Sequence, residues 1–185
     1  MAPKYKFTRE EMTAAAAQLI REKGGEALSA KSLGMKLGIS TQPVFTCFGS
    51  MDNVRSAVCS YAEELLSRYL DEGFKASAPF LGLCTQYICF ARNEPELYRL
   101  LFLRACGADA PAAITYARGN IEAQLVKGYD MSPEAAGMYF SDVWLAVFGL
   151  AALIVTGKCP YTDDQVSVIL KRLCAGEFKP VRDAH

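Results

Sequence analysis

The side chains that most often carry out chemistry are unevenly represented in this sequence of 185 residues. Its one histidine, His185, is the last residue, whereas nucleophilic triads and most general-base sites need a histidine inside the fold. The same scarcity argues against a zinc site built from Cys and His, and no glycine-rich phosphate loop is present. We therefore expect no enzyme, no metal site and no cofactor.

The seven cysteines are the other reactive side chains, an odd number with no Cys-x-x-Cys spacing. Reduced thiols in a cytoplasm are the simplest account of this pattern. Cys106 and Cys159 each lie close to a basic residue in a predicted loop, where positive charge could activate a thiol for redox sensing. Cys84 and Cys89 have the character of helix packing, because free cysteine is usually a small buried hydrophobe.

Composition indicates a globular protein, with 51% apolar and 22% charged residues and a mean hydropathy of +0.10. Such a hydropathy suggests apolar surface hidden in a subunit interface or a ligand cavity. The 20 basic and 20 acidic residues balance, but residues 1–60 carry eight basic against five acidic side chains. The N-terminal third is therefore mildly basic. The start of the chain has no apolar export signal, so we expect a cytoplasmic protein.

Apolar residues recur at three-to-four spacing throughout, which predicts an all-α fold of about nine helices. Helix starts are marked by capping boxes at Thr8–Glu11 and Thr162–Gln165, by the capping residues Ser29 and Ser50, and by Ser132 before a proline. The predicted helices span about 9–23, 30–37, 40–47, 51–75, 79–92, 95–105, 112–128, 133–156 and 163–175. Within the eighth, Val143–Val155 is apolar on all sides, which requires burial by a second surface but is too short to span a membrane.

Helices 2 and 3 are short and joined by a tight turn at Gly38, which are the dimensions of a helix-turn-helix. Ser40 is expected to cap helix 3, and Gly34 is expected to let helix 3 cross close over helix 2. The small polar residues Ser40, Thr41 and Gln42 would then stand at an exposed helix start, where base edges are reached. An ordinary corner between two helices would satisfy the same spacing.

Several blocks together resemble the TetR family of bacterial transcriptional regulators. They are Leu19-Ile-Arg-Glu-Lys-Gly24, Ala27-Leu-Ser29, Leu33-Gly-Met-Lys-Leu-Gly38-Ile-Ser40 and Val44-Phe-Thr-Cys-Phe48-Gly-Ser50. The resemblance implies a three-helix DNA-binding domain over residues 1–50, joined by a long helix to a helical ligand-binding and dimerisation domain over residues 51–185.

The family pattern implies that DNA lies against the start of helix 2 and the whole of helix 3. The groove-facing positions it assigns here are Ala30, Lys31, Ser40, Thr41, Gln42 and Phe45. Gln42 is the expected base reader, since its amide can pair with adenine through two hydrogen bonds, and Thr41 could meet a thymine methyl or a phosphate. Lys31, Lys36, Lys4 and Lys6 are the expected phosphate contacts, although a solvated surface charge explains each lysine equally simply.

Three positions depart from the family pattern. Phe45 replaces a common tyrosine, Cys47 a histidine or tyrosine, and Met51 a lysine that usually grips the DNA backbone. Each lost phosphate contact lowers the slope of log affinity against log salt by roughly 0.9. We therefore expect operator binding that is weaker and less sensitive to salt than is usual, or a head that no longer reads DNA.

The C-terminal part resembles one TetR regulatory domain, through Tyr87-Ile-Cys-Phe-Ala91-Arg-Asn-Glu-Pro95-Glu-Leu-Tyr98 and a Trp-x-x-x-His-Gly element. In this chain that element reads Trp144-Leu-Ala-Val-Phe148-Gly149, with phenylalanine in place of histidine. A ligand cavity would be apolar and aromatic. Its candidate walls are Tyr87, Phe90, Tyr98, Phe102, Tyr139, Trp144 and Phe148. Aromatic residues at helical spacing also occur simply as core.

The resemblance further implies a homodimer formed through the last two long helices, with two recognition helices facing a palindromic double-stranded operator. The function it implies is a transcriptional repressor released from DNA by a small apolar or amphipathic effector. Two alternatives remain: a dimeric small-molecule binding protein without DNA binding, and a regulator that senses redox state through cysteine. No membrane partner is expected.

Overall fold

A computed structural model describes residues 7–103 and 111–175 of the chain. Every regular element in these two ranges is helical, which confirms the predicted all-α fold. The α-helices are α1 (Arg9–Lys23), α2 (Ala30–Leu37), α3 (Gln42–Phe48), α4 (Met51–Phe74), α5 (Pro79–Asn93), α6 (Pro95–Tyr98), α7 (Ala112–Tyr129), α8 (Pro133–Val155) and α9 (Asp163–Cys174). A 3-10 turn, Gly25–Ala27, follows α1, and a π-helical turn, Arg99–Leu103, follows α6.

The chain forms two compact units. The first unit contains the residues up to Leu65 and a further segment that begins at Glu94. The second unit contains Leu66–Asn93 and the described residues after position 110. Helix α4 therefore continues from one unit into the other. The functional boundary expected after residue 50 remains a prediction.

Side chains cap the helices of the first unit where the sequence predicts. The Thr8 hydroxyl accepts a hydrogen bond of 3.1 Å from the Glu11 N–H, and the Glu11 carboxylate accepts one of 2.7 Å from the Thr8 N–H. Ser29 caps α2 in the same reciprocal way. The Ser50 hydroxyl accepts from a backbone N–H in the first turn of α4 at 3.2 Å. Each bond satisfies an N–H group that would otherwise lack a partner.

The start of α3 differs from the prediction that Ser40 caps it. Thr41 is the residue before α3, and neither it nor Ser40 supplies a side-chain cap. The Thr41 backbone is already helical, with φ −73° and ψ −22°, whereas a capping side chain needs an extended backbone at that position. Pro43 lies in the first turn, where its missing N–H breaks no hydrogen bond.

Helix α1 provides the centre of the first unit's core. Its side chains at Met12, Ala16, Leu19 and Ile20 are at most 2% exposed. This face packs against α2, α3 and α6. The sequence periodicity had marked the same face as apolar, so the burial follows from the pattern.

Helix α6 is shorter than predicted. It ends at Tyr98, and the chain continues as the wider π-helical turn Arg99–Leu103 instead of an α-helix to about residue 105. Residues 104–110 lie outside the described part. Over one or two turns, apolar spacing does not distinguish an α-helix from a π-helix, so the sequence could not show this change.

In the second unit, α5 packs against α7, α8 and α9, and α7 also packs on α8. Ser132 and Thr162 cap α8 and α9 as predicted. Helices α4 and α5 approach closely at Gly73 and Gly82, where a Cβ on either residue would overlap the other's backbone. Glycine is therefore required at this crossing.

Helix α8 has about the predicted span and extends well beyond its apolar run, Val143–Val155. Its 23 residues are, by length and composition alone, long and apolar enough to cross a membrane, a property that core helices of soluble proteins share. Only 33% of its most apolar window is buried within the chain. A large part of this apolar surface therefore lacks cover from the described residues.

Candidate functional site

The turn between α2 and α3 depends on two glycines. Gly38 has the left-handed backbone, φ 65° and ψ 37°, that closes α2, and its N–H bonds back to Gly34 and Met35. A Cβ on Gly34 would lie 2.9 Å from the Ile39 carbonyl oxygen and 3.5 Å from the Ser40 carbonyl carbon. Gly34 therefore makes room for the backbone of the turn, and not for α3 itself as predicted.

Helix α3 is fixed by one face and exposed on the other. Val44 and Phe48 are buried, while Thr41 and Gln42 are exposed and the Phe45 side chain is 41% exposed. The exposed face thus holds two hydrogen-bonding side chains and one aromatic ring within a single turn. This is the arrangement of a helix that meets another surface through its N-terminal half.

The remaining predicted groove residues lie on or just before these helices. Ser40 and Lys31 are exposed, and Ala30 is half-buried at the start of α2. Two exposed residues on this surface were missed by the sequence reasoning. Thr46 is one, and its hydroxyl donates to the Gln42 carbonyl at 2.9 Å; Met35, 74% exposed, is the other. Thr46 follows Gln42 by four residues, so helical spacing could have placed it on the same exposed face.

The predicted phosphate contacts divide into three cases. Lys31 is exposed on α2. The Lys36 ammonium donates to both carboxylate oxygens of Glu22, each at 2.9 Å, so it would have to leave this ion pair to reach a phosphate. Lys4 and Lys6 lie outside the described residues. Of the departures from the family pattern, Cys47 and Met51 are half-buried.

Arg9 supports α3 from the first turn of α1, a role that no sequence signal indicated. Its guanidinium donates to the Cys47 carbonyl at 3.0 Å and lies 4.4 Å from the centroid of the Phe48 ring. The last turn of α3 is therefore held by a charge-assisted hydrogen bond and a cation–π contact.

An ion pair connects α1 to the segment that begins at Glu94. The Arg21 guanidinium donates to both Glu94 oxygens, at 2.6 and 2.9 Å, and also lies 5.6 Å from the Tyr61 ring centroid. The hydrogen bond to Glu94 raises the pKa of Arg21 further above its ordinary value. This two-point contact fixes the orientation of the segment on α1.

In the second unit the predicted aromatic residues belong to a chain of ring contacts. Tyr87 contacts Trp144 with centroids 4.6 Å apart. Trp144 and Phe80 each stack with Phe140, with centroids 5.7 and 5.5 Å apart, and Phe80 also meets Tyr139 edge-on at 5.7 Å. Phe80 and Phe140 were missed by the sequence reasoning, although Phe140 follows the helical spacing from Trp144. We call these five residues the aromatic cluster.

Four predicted wall residues are not among the five of the aromatic cluster. Phe90 is fully buried against Tyr69, with centroids 5.6 Å apart, and Phe148 is half-buried on α8. Tyr98 and Phe102 belong to the first unit, where their rings contact each other at 4.8 Å. The seven predicted walls are therefore divided between the two units.

The cysteines differ from the expectation of seven free thiols. Cys59 is disulfide-bonded, which the sequence could not show because a disulfide needs no local motif. The free cysteines in the described residues are Cys47, Cys84, Cys89, Cys159 and Cys174. Cys159 is half-buried near the Tyr161 carbonyl, at 3.8 Å, and Cys106 lies outside the described residues.

Residues 80–175 match the model of the tetracyclin repressor-like C-terminal domain. The chain belongs to the TetR family of transcriptional regulators. It therefore has the family's general plan, a DNA-binding regulator with a ligand-binding domain. No curated protein sequence matches this TetR-family chain.

Solved structures share the fold of this regulator at low identity. A protein of unknown function from Rhodococcus sp. RHA1 has a TM-score of 0.75 and 19% identity, covering 95% of this chain and 98% of its own. A TetR-like regulator from the same organism has a TM-score of 0.67 and 13% identity, with 91% and 93% covered. A TetR variant from Acinetobacter baumannii AYE in complex with minocycline has a TM-score of 0.61 and 15% identity, covering 92% of this chain and 96% of its own.

Proposed function

We propose that this protein is a cytoplasmic, homodimeric repressor that binds a palindromic operator and leaves it when a small apolar or amphipathic molecule enters the C-terminal domain. The observation that carries the proposal is the exposed half of α3, where Thr41, Gln42 and Phe45 stand on a helix anchored by Val44 and Phe48. A buried position for Gln42 would have removed the basis for any base contact.

Gln42 is the proposed base reader. Its exposed amide can donate and accept at once, which matches the adjacent donor and acceptor of adenine in the major groove. We propose that Thr41 and Ser40 contact phosphates or thymine methyl groups. Lys31 and the start of α2 at Ala30 would contact the DNA backbone.

A binding assay with the DNA upstream of the protein's own gene tests this proposal. Gln42→Ala should reduce discrimination at one base pair by ~1–3 kcal/mol while the dimer persists. Gln124→Ala is the matched control, because Gln124 is an exposed glutamine on α7 of the second unit. If the wild-type protein binds this DNA no better than random duplex, the operator proposal fails. If Gln42→Ala retains full discrimination, Gln42 is not the reader.

A second candidate function follows from the phosphate contacts. Lys36 is paired with Glu22, and the positions where relatives place phosphate donors hold Phe45, Cys47 and Met51. These features favour a small-molecule binding protein with weak or lost DNA binding. The salt dependence separates the two: a steep fall of affinity with salt supports many phosphate contacts, and a shallow one supports few.

The proposed dimer uses the uncovered stripe of α8. Met138, Leu145 and Leu153 are 57%, 73% and 39% exposed and recur at helical spacing, with the small residues Ala146 and Gly149 between them. A stripe of large and small apolar residues on a long helix suits packing against the same stripe of a second copy.

Sedimentation equilibrium tests the dimer against the chain mass of 20.2 kDa. The wild-type protein should sediment at about twice this mass, and Leu145→Glu should sediment as a monomer, because a charge is buried without a partner. Tyr129→Glu is the control, since Tyr129 is 76% exposed on α7. A monomeric wild-type protein, or a Leu145→Glu dimer as tight as wild type, would contradict the interface.

The proposed ligand site is the aromatic cluster, which offers stacked ring faces to an apolar or amphipathic molecule. Trp144 is the single tryptophan of the chain, so its fluorescence reports on this cluster alone. Titration with minocycline, the compound bound by the Acinetobacter relative, and with anilinonaphthalene sulfonate should quench it saturably, and Phe140→Leu should weaken both. If neither compound binds saturably, the cluster acts as packed core.

A further inference from the structure

Two free cysteines from different helices lie side by side in the second unit. Cys84 lies on α5, Cys174 is the last residue of α9, and their sulfur atoms are joined by a hydrogen bond of 3.8 Å. Cys84 is fully buried, whereas Cys174 is half-buried. The pair therefore combines one thiol that solvent can reach with one that it cannot.

Packing between regular helices holds this pair together. At the opposite end of the same two helices, the Arg92 guanidinium bonds to the Asp163 carboxylate at 2.7 Å, so α5 and α9 run antiparallel. Beside Cys174, the Tyr139 hydroxyl donates to the Leu173 carbonyl at 3.0 Å. Contacts at both ends therefore hold α9 in place, which keeps the two sulfur atoms next to each other.

The environment gives the two thiols different reactivities. The hydrogen bond shared with Cys174, and then burial, raise the pKa of Cys84 well above its ordinary value. The hydrogen bond with Cys84 lowers the pKa of Cys174, more than its partial burial raises it. A thiolate is the nucleophile in thiol oxidation, so Cys174 suits the first attack, and Cys84 takes part in the second step because its sulfur lies 3.8 Å away.

We propose that Cys84 and Cys174 are a redox modification site, which a hydroperoxide converts into a reversible disulfide between α5 and α9. The Cys174 thiolate attacks one peroxide oxygen, which breaks the O–O bond, releases hydroxide or alkoxide and leaves a sulfenic acid. The Cys84 sulfur then attacks the Cys174 sulfur and expels the hydroxyl group as water, which takes the Cys84 proton. Two thiols lose two electrons, and the peroxide gains them.

The geometry allows this bond with a small movement. A disulfide requires sulfur atoms about 2.05 Å apart, so the pair must close by somewhat under ~2 Å, within reach of side-chain rotation. Cys89, one and a half turns further along α5, is free but has no such sulfur partner among the described residues. The proposal does not depend on DNA binding, since it concerns only the second unit.

Peptide mapping of the full-length protein tests the proposal. The reduced protein is treated with one equivalent of hydrogen peroxide, blocked with N-ethylmaleimide while folded and digested with trypsin. Cleavage after Lys75 and Arg92 leaves Cys84 and Cys89 on one peptide, so the Cys89→Ser variant assigns the link to Cys84. We expect a Cys84–Cys174 cross-linked peptide in the wild type and in Cys89→Ser, lost again on treatment with dithiothreitol.

A stability readout supplies an independent check. The new bond closes a long loop, so oxidation should raise the Tm of the wild type and of Cys89→Ser by roughly 5 °C or more beyond any rise in Cys174→Ser, where the Cys59 disulfide can still re-form. The proposal is overturned if Cys174 accumulates as sulfinic acid with Cys84 still alkylatable after unfolding, or if neither thiol changes. It is also overturned if the link forms only after the protein has been denatured.

Discussion

The ion pair between Arg21 and Glu94 should be a main support of the first unit, and Glu94→Gln tests this directly. The substitution keeps the shape of the side chain and removes its charge. It also removes one of the two carboxylate oxygens that accept from Arg21, at 2.6 and 2.9 Å. The guanidinium would then remain partly buried without a full counter-charge.

The expected cost lies between those of surface and buried pairs. Exposed ion pairs contribute ~0–1 kcal/mol, whereas removing one partner of a buried pair costs ~3–5 kcal/mol. The Arg21 and Glu94 side chains are 25% and 15% exposed, and the contact has two hydrogen bonds. We therefore expect Glu94→Gln to cost ~2 kcal/mol, which in a chain of this size lowers Tm by roughly 4–8 °C.

Thermal and urea unfolding measure this cost, and Glu122→Gln is the matched control. Glu122 pairs with Arg118 on α7 at 2.6 Å, but the side chains are 28% and 49% exposed and lie one helical turn apart. Such pairs contribute ~0.3–0.5 kcal/mol. Arg21→Gln should cost more than Glu94→Gln, because it also removes the contact with Tyr61. Equal losses in Glu94→Gln and Glu122→Gln would refute the reasoning.

Two further predictions concern the helix-turn-helix and its surface. Gly34→Ala should destabilise the protein by ~1–3 kcal/mol, because the new methyl meets a backbone oxygen at 2.9 Å, whereas Gly119→Ala has open space on α7 and should stabilise by ~0.5–1 kcal/mol. Urea unfolding of both variants checks this, and a stabilising Gly34→Ala would contradict it. Lys36→Gln should raise the pKa of Glu22 towards its ordinary value, because the hydrogen bond from Lys36 lowers it. The Lys36–Glu22 pair contributes to stability at pH values above the ordinary pKa of glutamate. This contribution is lost as the pH falls through the lowered pKa of Glu22. NMR titration of the Glu22 carboxyl measures this, and an unchanged pKa would count against the contact.

Helix starts could be predicted because their determinants are local. Thr8, Ser29, Ser132 and Thr162 each accept from a backbone N–H three residues ahead, so a short stretch of sequence contains both partners. Ser40 is the same type of residue, but α3 begins only after Thr41, whose backbone is already helical, so neither residue caps it. A capping residue predicts a helix start only when the preceding chain is free to be extended.

Contacts between distant parts of the sequence could not be predicted in the same way. Arg21 and Glu94 are 73 positions apart, and Cys84 and Cys174 are 90 apart. Nothing near either residue of a pair reveals the other, so Cys84 was interpreted as simple packing. The aromatic residues were recognised as a group by type, but their division between two units depends on the packing of α6 on α1.

The uncovered stripe of α8 raises the question of whether protein or lipid covers it. Length and hydropathy allow either answer. Asp142 bears on this question, because it is exposed on the stripe between Met138 and Leu145, and a carboxylate at the centre of a membrane helix costs ~2.5–3.5 kcal/mol. In an interface between two proteins the same carboxylate can keep ordered water or accept hydrogen bonds from the other copy, which lowers this cost. This difference is the reason for which we propose a second copy of the chain, and not lipid, as the cover of this surface.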